Sequence, residues 1–210
     1  MIVLGLDTCL AACSVAVIDG ARVLAHRSEA MARGHQERLA PMAQAVMADA
    51  GLGFDELERV GVTIGPGSFT GLRVGVAFAK GLSAALGVPL IGVGVLEALA
   101  AEVGDGLVFA AVDARRDQLY LQGFDGGRSI MAPDALEIGT AAARVAELAA
   151  GRTPVLVGSG APLLAALAAA AQVLTPEGAD ARCVARLAAA RAPAPVRPLY
   201  LRAPDARLPA

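Results

Sequence analysis

The chain has 210 residues, a formal net charge of −2, 56% hydrophobic residues and 18% charged residues. A disordered protein would be less hydrophobic and more highly charged. Strong autonomous binding to nucleic acid is also excluded, because it needs clustered positive charge that this balance does not supply. The composition indicates a globular protein with one large domain or two small ones.

The first half of the chain predicts strands that alternate with helices. Asp19-Gly20 lies between two apolar runs and is typical of a hairpin turn, because both residues tolerate the left-handed backbone conformation. Apolar residues recur at helical spacing through residues 35–50, and Gly51 suits the end of that helix. The predicted elements are a strand at 2–7, a hairpin of 14–18 and 22–25, a helix at 35–50, a strand at 60–64, a helix at 72–86, a strand at 90–93 and a helix at 96–103.

The second half repeats this order. Asp125-Gly126-Gly127 predicts a second hairpin turn. The predicted elements are a strand at 107–112, a hairpin of 119–124 and 128–131, a helix at 141–150, a strand at 155–157 and helices at 163–171 and 182–191. Five of the twelve prolines fall in the last eighteen residues, which predicts an extended tail.

The two successive β-β-β-α-β-α units predict a duplicated ribonuclease-H-like α/β fold, in which two mixed sheets are flanked by helices. We divide the chain into an N-terminal half at 1–104, a C-terminal half at 105–192 and a Pro-rich C-terminal tail at 193–210. The cleft between two such halves is the natural place for a ligand.

The residues that follow the first strand of each half are predicted to face this cleft. Asp7 and Thr8 do so in the first half, and Asp7 has two open interpretations: it binds a metal-nucleotide or a catalytic water, or it only caps a turn. Asp113, Ala114 and Arg115 do so in the second half, and Arg116 follows them in the sequence. The two arginines bind phosphate or a partner's carboxylate, or form a solvated, ion-paired loop.

Residues 65–71, Gly-Pro-Gly-Ser-Phe-Thr-Gly, follow one predicted strand and open a predicted helix. Glycines let a backbone approach a ligand closely, and a helix N-terminus offers free amides to a phosphate. A plain turn in which Ser68 or Thr70 caps the helix explains the motif equally well. The candidate nucleotide- or phosphate-binding residues are Asp7, Thr8, Gly65, Gly67, Ser68, Thr70 and Gly71.

Signatures of autonomous catalysis are missing from the sequence. Lys80 is the only lysine and lies inside a predicted helix, which excludes a P-loop. Pro66 stands where a nucleophile elbow around Ser68 needs its first glycine. His26 and His35 are too far apart for a helical pair of metal ligands. The residues alone therefore exclude a P-loop, a nucleophile elbow and a helical pair of metal-binding histidines, and leave the metal-nucleotide interpretation of Asp7 open.

The sequence also predicts a cytoplasmic protein that does not contact a membrane. Residues 153–176 carry no charge, but prolines and glycines divide them into a strand, a turn and a short helix. Asp7 follows the N-terminus too soon for a signal peptide. Cys9, Cys13 and Cys183 form no C-x-x-C pair and suit a reducing compartment, and Cys9 and Cys13 are predicted to be buried.

Several longer motifs are specific. They are Leu-Gly-Leu-Asp-Thr at 4–8, Cys-Ser-Val-Ala-Val at 13–17, His-Gln-Glu-Arg-Leu-Ala-Pro at 35–41, Gly-Pro-Gly-Ser-Phe-Thr-Gly-Leu-Arg at 65–73, Asp-Ala-Arg at 113–115 and Pro-Leu-Tyr-Leu-Arg at 198–202. Together they resemble the TsaB family, the non-catalytic partner in bacterial tRNA threonylcarbamoyladenosine synthesis. Gln118 and Gly94-Val95 depart from the family's usual residues.

The resemblance implies an actin/Hsp70-like ATPase fold and a scaffold subunit. Such a subunit pairs with the catalytic paralogue TsaD and activates transfer of a threonylcarbamoyl group to tRNA adenosine, so that it meets tRNA only indirectly. A TsaE-like ATPase joins the complex, and ATP or ADP lies near its interface. In TsaD the corresponding segment holds two histidine ligands, which become Val95 and Leu99 here, so this chain is not expected to carry the reaction. The resemblance therefore implies no catalytic residue, no metal site and no tightly bound cofactor in this chain.

The resemblance further implies that the first two helices contact the partner in a four-helix bundle and form a homodimer when the partner is absent. The partner-interface residues predicted on them are Leu39, Met42, Val46, Leu72, Val76 and Ala79. For each one the alternative is a place in the protein's own core.

A second hypothesis makes the chain an enzyme, an ATP-dependent phosphotransferase or hydrolase that works in the cleft on its own. It predicts metal-dependent nucleotide turnover that Asp7→Ala abolishes.

Overall fold

The structure, a computed structural model, describes residues 1–170 and 172–202. The strands are β1 (Ile2–Asp7), β2 (Ala12–Asp19), β3 (Arg22–Ala30), β4 (Arg59–Thr63), β5 (Leu90–Val93), β6 (Leu107–Arg115), β7 (Gln118–Asp125), β8 (Arg128–Glu137), β9 (Val155–Val157) and β10 (Gln172–Leu174). The helices are α1 (His35–Ala50), α2 (Phe69–Leu86), α3 (Val95–Val103), α4 (Ile138–Ala149), α5 (Ala161–Ala165) and α6 (Ala181–Ala189).

Two mixed sheets share one plan, which confirms the predicted duplication. Sheet one has the order β3-β2-β1-β4-β5, and sheet two has the order β8-β7-β6-β9-β10. In each sheet the first three strands are antiparallel and the last two run parallel to the first strand. Each half therefore has the order β-β-β-α-β-α-β-α. The predicted six-element unit left out the last strand and helix of each half, and of these four elements only β10 was absent from the predicted elements.

The prediction fails most clearly near the end of the second half. A helix was expected over residues 163–171, of which Ala171 lies outside the described residues, but α5 ends at Ala165. Strand β10, which was not predicted, begins at Gln172 and pairs in parallel with β9 at the edge of sheet two. The alanine-rich run favours a helix locally, but the chain turns within it to bring β10 beside β9.

The final helix of each half packs on the other half's sheet. Helix α3 contacts β6, β7 and β9, whereas α6 contacts β1, β2, β4 and β5. Helices α1 and α2 cover the opposite side of sheet one, and α4 and α5 cover sheet two. The boundaries at 104 and 192 fall between elements, but the two sequence halves interlock instead of standing side by side.

The C-terminal tail forms no helix or strand over residues 193–202, and this part of it docks on the body of the protein. The Leu199 amide donates to the Ile64 carbonyl at 2.7 Å, and Arg202 donates to the Ala114 carbonyl at 2.9 Å. Residues 199–202 thus reach from the end of β4 to the end of β6. The predicted tail continues through 203–210, which lie outside the described residues.

In the described part of the chain, no helix combines the length and apolar character that crossing a membrane requires.

Candidate functional site

A cavity of about 610 Å³ lies between the two halves of the fold, where the sequence predicted a cleft. Cys9 and Leu10 after β1, Asp113 and Arg115 at the end of β6, and Ser68 before α2 contribute to its walls. Residues at the C-terminal ends of the first strands of both halves therefore line one cavity, and the 65–71 loop borders the same cavity through Ser68.

The Asp7 carboxylate, in contrast, is sealed beneath this cavity. Its side chain has no exposed surface. Oδ1 accepts hydrogen bonds from the Thr63 hydroxyl at 2.6 Å and the Cys9 amide at 3.1 Å, and Oδ2 accepts from the Ala179 amide at 3.0 Å. Burial raises the pKa of Asp7, against the opposing effect of the three donors. The carboxylate serves the fold and has no face turned to a ligand.

The turn at residues 177–180, just before α6, separates the Asp7 carboxylate from the cavity. The Ala11 amide donates to the Glu177 carbonyl at 2.9 Å, and a Cβ on Gly178 would lie 3.1 Å from Asp7 Oδ2. The Glu102 carboxylate on α3 accepts from the Asp180 amide at 2.6 Å, so α3 and α6 hold the turn together.

We expect Glu102 to make stability depend on pH. Burial raises the pKa of Glu102 from its ordinary 4.5 to about 7, with a smaller contribution from repulsion by Asp180 and Asp7, while the hydrogen bond from the Asp180 amide and the charge of Arg182 oppose the shift. The folded state then holds this proton more tightly than the unfolded state, so the free energy of unfolding falls as pH rises from about 4.5 to about 7. Because the residue is partly exposed, we expect a total below about 1 kcal/mol.

Glu102→Gln keeps the oxygen that accepts from Asp180 and should abolish this pH-dependent loss. Urea unfolding of both proteins at about pH 5 and about pH 8 measures it. An equal pH slope in wild type and variant would contradict the assignment.

The 65–71 loop is packed against the chain itself. A Cβ on Gly67 would collide with the Cys9 carbonyl, and one on Gly71 would collide with the Thr8 carbonyl. The Ser68 hydroxyl accepts from the Gly71 amide at 3.3 Å and forms the N-cap of α2. The structure therefore supports the interpretation as a capped strand-to-helix turn, in which the glycines make room for the backbone after β1.

Two glycines of α2 allow a matched test of this packing. Gly71→Ala should lower the free energy of unfolding by about 3 kcal/mol, since the displaced atom is a backbone oxygen. Gly81→Ala, on an open face of the same helix, should raise it by about 0.5–1 kcal/mol. Chemical denaturation measures both, and an equal response would show that Gly71 is not tightly packed.

The remaining loop residues are divided between the interior and the surface. Thr8 is buried and donates to the Gly71 carbonyl at 2.7 Å, and Gly65 has a positive φ of 100°. Thr70 is exposed and, with Ser68 and Arg33, lines a groove of about 530 Å³ between the N-termini of α1 and α2. The predicted site residues are thus neighbours, but their polar groups do not converge on one ligand position.

A metal-nucleotide does not fit at Asp7. Its carboxylate oxygens already accept three protein donors, and protein backbone fills the space beside Gly67 and Gly71 that a phosphate would need. No group of three metal-ligating side chains occurs among the described residues. Val95 and Leu99 are fully buried and pack in the core around α3.

The six predicted interface residues require a correction. Each is at most 5% exposed, and all belong to the hydrophobic core between α1, α2 and sheet one; they are Leu39, Met42, Val46, Leu72, Val76 and Ala79. Their apolar spacing marks the side of each helix that faces the protein's own sheet. These side chains cannot contact a partner while the fold is intact.

The outward side of the two helices has small residues set among charged ones, such as Arg73 and Lys80 on α2. On α2 it carries Ala77, Gly81 and Ala84, which are exposed, and on α1 it carries Pro41 and Ala48. A Cβ at Gly81 would meet no atom within 4 Å. A partner helix could therefore approach the backbone of α2 closely.

The fold also creates a polar cluster that the sequence did not reveal. Ser14 Oγ lies 3.2 Å from His26 Nε2, and the same nitrogen lies 3.7 Å from Asp180. A catalytic triad would place the carboxylate on the other ring nitrogen. Ser14 is also buried and accepts from the Ala181 amide, so the cluster joins the β2–β3 hairpin to α6. The antiparallel pairing of β2 and β3 brings these residues together, which no local motif signals.

The first two cysteines behave as predicted from their apolar surroundings. Cys9, Cys13 and Cys183 are buried free thiols. Burial raises the pKa of Cys13 to about 12 and that of Cys183 to about 11, so neither is a ready nucleophile.

Comparison with known proteins identifies the family. A family model described as TsaD, tRNA N6-adenosine threonylcarbamoyltransferase, matches residues 23–156. The chain therefore belongs to this family, and its two sheets form the actin/Hsp70-like ATPase fold.

Individual relatives place it more closely. An uncharacterised protein of Mycobacterium tuberculosis is 40% identical over 98% of this chain and 93% of its own length. The Escherichia coli tRNA threonylcarbamoyladenosine biosynthesis protein TsaB is 37% identical over 57% of this chain and 53% of its own length. Within the family, the chain is TsaB-like.

Solved structures agree with this placement. A Pseudomonas aeruginosa protein with similarity to the peptidase YeaZ superposes with a TM-score of 0.80 at 28% identity, covering 96% of this chain and 99% of that one. A ROK hexokinase from Thermus thermophilus, at 17% identity, a TM-score of 0.51 and coverage of 90% and 98%, shares the fold alone.

Proposed function

We propose that the protein is the non-catalytic scaffold subunit that pairs with a TsaD-like catalytic paralogue and activates threonylcarbamoyl transfer to tRNA adenosine. The TsaB-like relatives support a role in tRNA threonylcarbamoyladenosine biosynthesis. The observation that supports the scaffold role best is the buried Asp7 carboxylate, whose oxygens accept hydrogen bonds from three protein donors. A carboxylate bound in this way is not available to act as a catalytic group in the cleft.

The partner surface that we propose is the outward side of α1 and α2, and not the buried side predicted from the sequence. Ala77, Gly81 and Ala84 allow a partner helix to pack against the α2 backbone at short range. We call this the outer helix surface, made of these three residues with Pro41 and Ala48. The same surface would join two copies when the paralogue is absent.

Reconstitution tests the proposed function directly. The purified chain alone should neither turn over nucleotide nor modify tRNA, and it should restore modification when it is mixed with the paralogue and the other bacterial components. Light scattering should show a heterodimer with the paralogue and a homodimer without it. Full modification in the absence of this chain would overturn the proposal.

The enzyme hypothesis remains the alternative, because the cavity between the halves is large enough for a ligand. It requires metal-dependent nucleotide turnover by the isolated chain. If the purified protein shows none while it restores modification in the mixture, that hypothesis fails.

The remaining assignments are part of this proposal and rest on the resemblance to TsaB. They are a TsaE-like ATPase in the complex, indirect contact with tRNA through the paralogue, a cytoplasmic location, and ATP or ADP bound only at the assembled interface. For the ATP or ADP, we propose the groove lined by Ser68 and Thr70, because this groove opens to the surface at the start of α2.

A further inference from the structure

An exposed cluster of two aromatic rings and an arginine lies where the tail crosses α2. Phe69 and Tyr200 are 48% and 49% exposed, and their ring centroids are 5.8 Å apart. The Arg73 guanidinium carbon lies 3.6 Å from the Phe69 ring centroid, and Arg73 Nε donates to the Tyr200 hydroxyl at 3.5 Å. The cluster offers flat, polarisable surfaces to solvent next to a fixed positive charge.

The β6–β7 turn adds further arginines. Arg115, Arg116 and Asp117 have φ angles of 63°, 55° and 57°, a run of left-handed residues without glycine. Such residues are uncommon and cost energy, so glycine would suit the turn better unless these side chains had a use. The Arg115 side chain is 85% exposed and lies 3.2 Å from Asp113.

The tail joins the two groups into one surface. Arg202, two residues after Tyr200, donates to the Ala114 carbonyl beside Arg115. Ser68, which precedes Phe69, and Arg115 line the same cavity. We call the set of Phe69, Arg73, Arg115, Arg116, Tyr200 and Arg202 the arginine–aromatic surface. It holds four arginines, with Asp113 and Asp117 as the neighbouring acids, in a chain whose net charge is −2.

We propose that the arginine–aromatic surface binds single-stranded RNA directly, with bases stacked on Tyr200 and Phe69 and phosphates held by the arginines. Interleaved aromatic rings and arginines are the chemistry that holds unpaired nucleotides, whereas a protein-binding surface has a larger apolar centre. The proposal goes beyond the scaffold function, in which tRNA is reached only through the paralogue. Because the chain as a whole is acidic, the affinity is modest and depends on salt.

Fluorescence anisotropy with a short labelled single-stranded RNA and the isolated chain tests this. Tyr200→Ala should weaken binding about tenfold, and Tyr200→Phe should leave it unchanged. Arg115→Gln with Arg116→Gln should reduce the dependence of log K on log salt by about 0.7 for each phosphate that the arginines no longer neutralise. Arg144→Gln is the control, since Arg144 on α4 is partly exposed and, like Arg115, is paired with a nearby acid, Glu147.

A second readout uses the tyrosine fluorescence of the wild-type chain with unlabelled RNA. The chain has no tryptophan and two tyrosines, so quenching of tyrosine fluorescence by unlabelled RNA reports stacking on Tyr200 in the wild type, and Tyr120→Phe should keep that quenching. Absence of binding at low salt, equal affinity for double-stranded RNA, or an equal loss of affinity in Arg144→Gln would overturn the proposal. The proposal would also fail if the variants lost affinity for the paralogue while their affinity for RNA was unchanged.

Discussion

Val76→Asp should unfold the protein, and Ala77→Asp, one residue further along the same helix, should leave it folded but unable to bind the paralogue. Val76 is 5% exposed and lies in the core between α2 and sheet one. An unpaired carboxylate there costs about 4 kcal/mol or more, a large part of a typical folding free energy. Thermal and urea unfolding should show this loss of stability.

Ala77 lies on the outer helix surface, where a carboxylate remains hydrated. Its substitution should change the free energy of unfolding by less than about 1 kcal/mol. A charge at the centre of a closely packed helix interface should weaken association at least about thirtyfold, the scale of a hot spot. Ala146→Asp, at an exposed position on α4, is the control and should bind normally. If Ala77→Asp bound the paralogue with unchanged affinity, the proposed surface would be wrong.

Asp7→Ala should destabilise the protein by about 3 kcal/mol, because it leaves the Thr63 hydroxyl and the Cys9 and Ala179 amides buried without an acceptor. Part of this cost is offset, since the variant no longer buries a carboxyl whose pKa burial has raised. Asp7→Asn keeps one oxygen and should be destabilised less. Denaturant unfolding at neutral pH measures all three proteins.

Asp113 provides the matched control for Asp7. It lies near the end of β6, the counterpart of β1, but its side chain is 27% exposed and pairs with Arg115, whose side chain is 85% exposed. Asp113→Ala should therefore cost less than about 1 kcal/mol. If Asp7→Ala left stability unchanged and removed a measurable nucleotide turnover, the carboxylate would be catalytic and the scaffold proposal would fail.

Local sequence signals were sufficient for most elements. Helical spacing of apolar residues predicted α1 at its observed bounds, and the two Asp-Gly turns predicted both hairpins. The duplication followed from their order. The sequence did not show that α3 and α6 exchange sheets, because a helix's apolar side indicates that it is covered and not which sheet covers it.

The candidate site was only partly predictable for a related reason. The 65–71 motif identified a loop beside Asp7, but only the fold shows that Thr8 and Cys9 fill the space around its glycines. The apolar stripe of α2 is visible in the sequence, and a buried core explains such a stripe as well as a partner does. The small exposed residues Ala77 and Gly81 are the signal that could have directed attention to the opposite side of the helix.

The exchange of α3 and α6 has a consequence for how the chain can be divided. A fragment that ended after α3 would leave one side of sheet one bare, including Val3 and Ile18, because α6 is the element that covers them. A fragment starting at β6 would lack α3 and expose the matching side of sheet two. Neither fragment can bury its own core, so the duplicated plan does not yield two separable domains, and only co-expressed fragments that associate could regain the native state.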